Sequence, residues 1–257
     1  MQEVRSIRLL ALDFDGVIVD SVLECAVAAY NGYQAFIGNN SRIKAPQEIP
    51  TDLLSRFRAT RPYIRSGEDY LYLFQALAEG IAITDQADFD SFHDTHPDRR
   101  EPYYQLFYAE REALMTSDHA NWIRLNPPYE GMIDFLQSLK PELILRIVST
   151  KAVRYIAEIL DHHGVRLEPD QIHQAGRGLS KPDIISRLMQ KHDLSPCEAI
   201  FVDDHLDTVE KVSKTGVACL LASWGYNTVE QRCSIAGSNI DLIGIIELAG
   251  IMTDGNN

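Results

Sequence analysis

The chain has 257 residues, with 24 Lys and Arg against 37 Asp and Glu, and therefore a formal net charge of −13. A hydrophobic fraction of 45% is that of a globular protein, and the length fits one large domain or a core with a sizeable insert. Because so acidic a surface repels nucleic acid and anionic lipid, neither is expected as a partner. No run approaches the roughly 20 apolar residues of a membrane span, and a cytoplasmic protein is expected.

The predicted elements begin with an apolar run at residues 7–12, which ends at Asp13 and is typical of a buried strand. From Gly16 to Pro127 the pattern is helical instead. The helices predicted there span about 22–36, 52–58, 68–79, 88–92 and 102–115. This stretch therefore reads as a helical insert that follows the first strand almost at once.

Strand and helix alternate in the rest of the chain. Further strands are predicted at 143–148, 171–175, 199–202 and 217–221, with helices at 129–140, 152–163, 182–192, 208–215 and 240–249. Such alternation predicts an α/β fold with a doubly wound, Rossmann-like parallel sheet, whose ligands bind at the carboxyl ends of the strands. The expected organisation is a core of residues 1–16 and 127–257 with an all-helical cap domain at 17–126.

Polar residues mark these strand ends. Asp13 and Asp15 follow the first strand, and Gly16 allows a sharp turn beside them. Ser149 ends the strand at 143–148, where its hydroxyl can donate to a phosphate oxygen. Because parallel strands bring their carboxyl ends to one edge, these side chains are expected at a common site.

Two further features belong to the same edge. Lys181 precedes a helix that Pro182 opens, and the adjacent acids Asp203 and Asp204 end the strand at 199–202. Adjacent like charges repel unless a cation lies near them. Each feature alone has an ordinary explanation as a solvated turn or a helix cap, but four of them in this order are specific.

In this order the four motifs resemble those of the haloacid dehalogenase-like hydrolase superfamily. The run from Asp13 to Ser21 resembles the first motif of phosphoglycolate-phosphatase and β-phosphoglucomutase-like members, which carry a helical cap directly after it. Trp224-Gly225-Tyr226 also resembles the phosphoglycolate-phosphatase type. The resemblance covers the core, residues 7–15 and 127 to about 221.

The resemblance implies a role for each matching residue. Asp13 would be the nucleophile and would form an aspartyl-phosphate, and Asp15 would be the general acid and base. Ser149 would bind the transferring phosphoryl group, and Lys181 would hold that group and Asp13. The metal Mg²⁺ would be held by Asp13, the Asp15 backbone carbonyl and Asp204, with Asp203 acting through a water.

Two points depart from the pattern or stay open. The fourth motif often has a second acid four residues after its metal-binding Asp, where this chain has Thr208, so that no role is assigned to Asp207. The phosphoryl-binding hydroxyl could belong to Ser149 or Thr150, and Ser149 is favoured. In the insert, Arg61 and Arg65 are candidates to grip the non-reacting part of a substrate, against the alternative of ordinary surface arginines.

The function expected is a Mg²⁺-dependent phosphatase of a small phosphate monoester. A phosphomutase on the same fold is the nearest alternative. A dehalogenase needs no acid at Asp15, and a phosphonate hydrolase would need a cap lysine, for which only Lys44 is available. From another class, a receiver-like phosphoacceptor module would lack so large an insert, and a catalytically silent regulator would have lost a motif residue. The oligomeric state cannot be read from the sequence.

Overall fold

The computed structural model describes residues 7–39, 41–176 and 178–254. The chain divides into two compact units, the first Met1–Asp20 with Pro128–Asn257 and the second Ser21–Pro127. The second unit thus begins at Ser21, whereas the sequence pattern places the start of the insert at residue 17. Among the described residues, no helix has both the length and the hydropathy that crossing a bilayer requires.

The first unit is built on a six-stranded sheet. Its strands are β1 (Leu9–Leu12), β2 (Ile144–Ser149), β3 (Ile172–Gln174), β4 (Ala199–Asp203), β5 (Ala218–Ala222) and β6 (Ile240–Ile243). Every neighbouring pair is parallel, and the strand order is β3-β2-β1-β4-β5-β6. The chain order reverses beside β1, and in open α/β sheets such a reversal opens a ligand crevice at the carboxyl ends. The predicted doubly wound α/β fold is confirmed.

The second unit is helical. Its helices are α1 (Val22–Phe36), α2 (Thr51–Thr60), α3 (Asp69–Ala78), α4 (Gln86–Asp94), α5 (Arg100–Ser117) and α6 (His119–Arg124). Helix α1 begins and ends at the predicted residues, whereas α6 has no counterpart among the predicted helices.

A buried ion pair joins α1 to α5 within this unit. Arg111 donates to the two carboxylate oxygens of Glu24, over 2.8 Å from Nε and 2.8 Å from Nη2. Glu24 is fully buried and Arg111 is 4% exposed. Burial opposes the charge on the guanidinium, yet Glu24 raises the pKa of Arg111 well above its ordinary value. Both groups are therefore charged inside the helical unit, and each depends on the other.

The helices of the first unit flank the sheet in chain order. They are α7 (Met132–Ser138), α8 (Val153–His162), α9 (Lys181–Lys191), α10 (Leu206–Ser213), α11 (Val229–Ser234) and α12 (Ile245–Asp254). Apolar side chains of α9 and α10 pack against β1, β4 and β5 in one buried cluster, which includes Ile185, Val209 and Phe201. Every residue of β1 and β4 is buried, as expected of central strands in a sheet covered on both faces.

The predicted helix at 240–249 is wrong in its first half. Residues Ile240–Ile243 form strand β6, which pairs with β5 at the edge of the sheet, and the helix α12 begins only after Gly244. An edge strand of four residues, with only Ile240 and Ile243 buried, lacks the alternation that marks a strand in the sequence. Helix α11 was not predicted either.

Candidate active site

Asp13 lies directly after β1, where its backbone amide continues the ladder by donating to the carbonyl of Val202 over 2.9 Å. Its carboxylate Oδ1 accepts a hydrogen bond of 2.7 Å from the amide of Phe14. The residue is 8% exposed. Asp13 is thus held at the end of the central strand with its second oxygen, Oδ2, directed to other partners.

Lys181 joins two of the predicted site acids. Its ammonium lies 2.8 Å from Asp13 Oδ2 and 2.7 Å from Asp203 Oδ2. The side chain of Ser180 caps α9 by accepting from the amide of Asp183, which fixes Lys181 as the first residue of that helix. Burial opposes the charge, but the two carboxylates outweigh it and raise the pKa of Lys181. This lysine is a permanent cation between two strand ends.

Asp203 ends β4 and is fully buried. Burial raises the pKa of its carboxyl to about 6, although Lys181 acts in the opposite direction. Its second oxygen, Oδ1, accepts from the amide of His205 over 2.9 Å. Both oxygens therefore accept hydrogen bonds from the protein, which fits a residue that orients Lys181 at the site.

Asp204 completes the acidic group. Its carboxylate Oδ2 accepts a hydrogen bond of 2.6 Å from the amide of Tyr226. A Cβ on Gly16, which has a φ of +85°, would clash with this carboxylate, so that only glycine allows the turn after β1 to approach it so closely.

One oxygen from each of Asp13, Asp203 and Asp204 lies within 4.8 Å of the others, and all three residues are buried. Within the described residues this is the one group with metal-ligand spacing. Carboxylate oxygens are hard donors of the kind that Mg²⁺ prefers. The donor set therefore fits a hard divalent cation.

Lys151 is a site residue that the sequence analysis missed. Its ammonium lies 2.8 Å from Asp15 Oδ1, and its side chain is fully buried while that of Asp15 is 16% exposed. The ammonium also lies 5.7 Å from the centre of the Phe14 ring. One signal was available, because Lys151 follows the strand-end Ser149 by two residues, the same offset that separates Asp15 from Asp13.

The charges at this edge do not balance. Asp13, Asp15, Asp203 and Asp204 contribute four carboxylates, and Lys181 and Lys151 contribute two ammonium groups. When all are ionised, the excess of two negative charges matches one divalent cation.

Ser149 is the last residue of β2 and is 1% exposed. Its hydroxyl oxygen accepts from the amide of Lys151 over 3.3 Å, and its carbonyl accepts from the amide of Ala175 over 2.8 Å. Thr150, the alternative residue, lies just beyond the strand and is half-buried. Ser149 thus shares its local turn with Lys151, and its phosphoryl-binding role stays a prediction.

The two cap arginines are engaged inside the helical unit. Arg61 is 8% exposed, and its guanidinium lies 5.2 Å from the centre of the Tyr70 ring. Arg65 donates to both carboxylate oxygens of Asp90, over 2.6 Å and 3.0 Å. A substrate anion would have to compete with Asp90 for Arg65, which weakens the predicted substrate role of this residue.

Comparison with known proteins identifies the class. The sequence model of the haloacid dehalogenase-like hydrolase family matches residues 7–210, and the chain belongs to this family. The resemblance seen in the four motifs is thereby confirmed, as is the prediction of a hydrolase.

Two similar proteins are phosphoglycolate phosphatases by name. The phosphoglycolate phosphatase of Vibrio parahaemolyticus is 26% identical over 93% of this chain and 92% of its own length. That of Photobacterium profundum is 23% identical over 95% and 93%.

Solved structures agree on the fold. A haloacid dehalogenase-like hydrolase from Streptococcus pneumoniae matches with a TM-score of 0.61 at 18% identity, over 94% of this chain and 95% of its own. A protein from Haemophilus somnus, described as a predicted phosphoglycolate phosphatase, gives 0.61 at 17% identity over 97% and 98%.

Proposed function

We propose that the protein is a Mg²⁺-dependent phosphatase that hydrolyses a small phosphate monoester through an aspartyl-phosphate on Asp13. The observation that carries the proposal is the position of Asp13, which lies at the end of β1, 2.8 Å from Lys181, among carboxylates with metal-ligand spacing. The family and the phosphoglycolate phosphatase relatives support the same reaction.

In the first step a carboxylate oxygen of Asp13 attacks phosphorus and the ester P–O bond breaks. The leaving oxygen takes a proton from Asp15. In the second step water attacks the phosphorus of the aspartyl-phosphate and gives a proton back to Asp15. Phosphate leaves and the Asp13 carboxylate is restored, so that atoms and protons balance over one turnover.

The lysines and Ser149 serve these steps electrostatically. Lys181 holds Asp13 in place and stabilises charge on the transferring phosphoryl group, to which the Ser149 hydroxyl donates. Lys151 contacts Asp15 Oδ1 over 2.8 Å and orients the carboxyl group that exchanges a proton with the leaving group and the water. The positive charges of Lys181 and Lys151 would reduce the repulsion between a phosphate dianion and the four carboxylates.

The metal would be held by Asp13, Asp204 and the backbone carbonyl of Asp15, with Asp203 in support through a water. When bound, Mg²⁺ supplies Lewis-acid stabilisation of the phosphoryl oxygens. Its charge would also cancel the excess of negative charge at the strand ends.

We propose phosphoglycolate as the first substrate to test, because two similar proteins bear the name of its phosphatase. The proposed binding partner is thus a small phosphorylated carboxylate, which the protein would meet in the cytoplasm. We propose no nucleic-acid partner.

The experiment is a phosphate-release assay on purified protein with phosphoglycolate, glucose 1-phosphate and p-nitrophenyl phosphate, with and without Mg²⁺. We expect turnover that EDTA abolishes and Mg²⁺ restores, with the highest kcat/KM for phosphoglycolate. Full activity after exhaustive EDTA treatment would refute the metal. Transfer of phosphate to a second hydroxyl without release would instead identify a phosphomutase.

A further inference from the structure

One loop of the first unit, hereafter the core unit, contacts the group formed by Asp13, Asp203 and Asp204 without supplying a carboxylate to it. Residues 224–227 follow β5 and lie against Asp204. The amide of Tyr226 donates to Asp204 Oδ2 over 2.6 Å, and Asn227 Nδ2 donates to the Asp204 carbonyl over 3.0 Å. Any Cβ on Gly225 would clash with Asp204 and with the carbonyl of Gly16. The loop is therefore fitted to the backbone and the side chain of this acid.

The same loop is also anchored to residues 17–20, which follow the turn at Gly16. Trp224 Nε1 donates to the carbonyl of Val17 over 3.0 Å. The Tyr226 hydroxyl donates to Asp20 Oδ1 over 2.7 Å. Two side chains thus tie the loop to the segment beyond β1, while its backbone holds Asp204. Asp204 itself directly follows β4, so the contacts join three separate parts of the sequence.

We propose that Tyr226 is a positioning residue for Asp204, with its phenol anchored on Asp20 so that its backbone amide stays on one carboxylate oxygen. A carboxylate bound to a backbone amide cannot rotate freely about its terminal torsion. The entropy of ordering Asp204 is then met in folding rather than when a cation binds. This inference rests on the proposed function, since it assigns Asp204 to the metal.

The hydrogen bond between a phenol and a charged carboxylate is of the stronger kind, and its loss frees the Tyr226 ring to move. The backbone amide would then hold Asp204 less firmly. Because the contacts described above link Tyr226 to Asp204 and Asp20, the loss should fall on cation affinity and leave the chemical step intact.

The test measures Mg²⁺ binding directly, by isothermal titration calorimetry on the full chain without substrate. Tyr226→Phe and Asp20→Ala each remove the anchor from one side, and each should raise the Mg²⁺ Kd about three- to tenfold. Because both changes break the same hydrogen bond, the double variant should show no larger loss than either single variant. At saturating Mg²⁺, kcat with p-nitrophenyl phosphate should return to within about twofold of wild type.

The matched control is Tyr103→Phe, which removes a phenol that donates to Gln75 over 2.6 Å inside the helical unit. Its Mg²⁺ Kd should equal that of wild type. An unchanged Kd in Tyr226→Phe and Asp20→Ala would overturn the proposal, and so would additive losses in the double variant. If Tyr226→Phe fails to fold, Asp20→Ala alone decides. Absence of Mg²⁺ binding by wild type would instead refute the proposed function.

Discussion

Replacing Lys151 with Met tests how the site controls Asp15. The substitution keeps an unbranched side chain in a fully buried position and removes its charge. At an ammonium-to-carboxylate distance of 2.8 Å, the attraction is about 6 kcal/mol for an effective dielectric constant of 20. Water and movement of the carboxylate recover part of this.

Breaking a buried pair typically costs about 3–5 kcal/mol, and we take the lower end because Asp15 is partly exposed. If the pair positions Asp15 in the transition state and a similar free energy is lost there, the activation barrier should rise by about 3 kcal/mol, which lowers kcat about 150-fold. The loss should be large for phosphoglycolate, whose alkoxide must be protonated, and much smaller for p-nitrophenyl phosphate, whose leaving group needs little help.

The assay compares kcat for the two substrates at saturating Mg²⁺. Lys211→Met is the matched control, since Lys211 pairs with Asp207 over 2.7 Å at an exposed position, where such a pair contributes little. It should leave both rates unchanged. Equal losses on both substrates in Lys151→Met would refute the reasoning and assign Lys151 to folding or to phosphate binding.

Four further results are expected. Glu24→Gln should lower the free energy of unfolding by about 3–4 kcal/mol in urea titrations, because it leaves the buried Arg111 charge without its counterion, and an unchanged midpoint would contradict this. Asp13→Asn should lose more than about 100-fold in kcat while circular dichroism shows an intact fold, because an amide is a poor nucleophile. Dialysis against EDTA should abolish activity, whereas thermal melts should show only a small decrease of the thermal midpoint. Arg65→Ala should leave the kcat/KM for p-nitrophenyl phosphate unchanged, and a fall for phosphoglycolate would restore Arg65 to substrate binding in spite of Asp90.

Much of the core could be predicted because its signals are local. β1 and β4 are apolar runs that end in acids, and the spacing of these runs along the chain predicted a parallel sheet. The strand-end acids Asp13 and Asp203 were predicted for the same reason. Since all parallel strands end at one edge, their proximity followed from the fold alone.

The rest depends on contacts that the local sequence does not encode. A lysine after a strand is normally solvated, and the burial of Lys151 arises only when the sheet brings Asp15 beside it. Arg61 looks like a free cation in the sequence, but packing in the helical unit places it over Tyr70. Strand β6 is too short, and has too few buried residues, to show the alternation of apolar and polar residues that marks a strand. Its conformation is decided by its pairing with β5. Each of these is a tertiary effect that overrides local preference.

The two places where the chain leaves and re-enters the core unit are hydrogen-bonded to each other. Val19 pairs with Pro128 in an antiparallel bridge, and the amide of Tyr129 donates to the carbonyl of Ile18 over 3.0 Å. The two ends of the inserted segment are thereby held together by hydrogen bonds within the core unit. Because the entropy of closing a loop grows only with the logarithm of its length, even a tenfold change in the insert costs about 2 kcal/mol. The length and sequence of the insert can therefore vary while the strand register and the carboxylates at the strand ends stay unchanged.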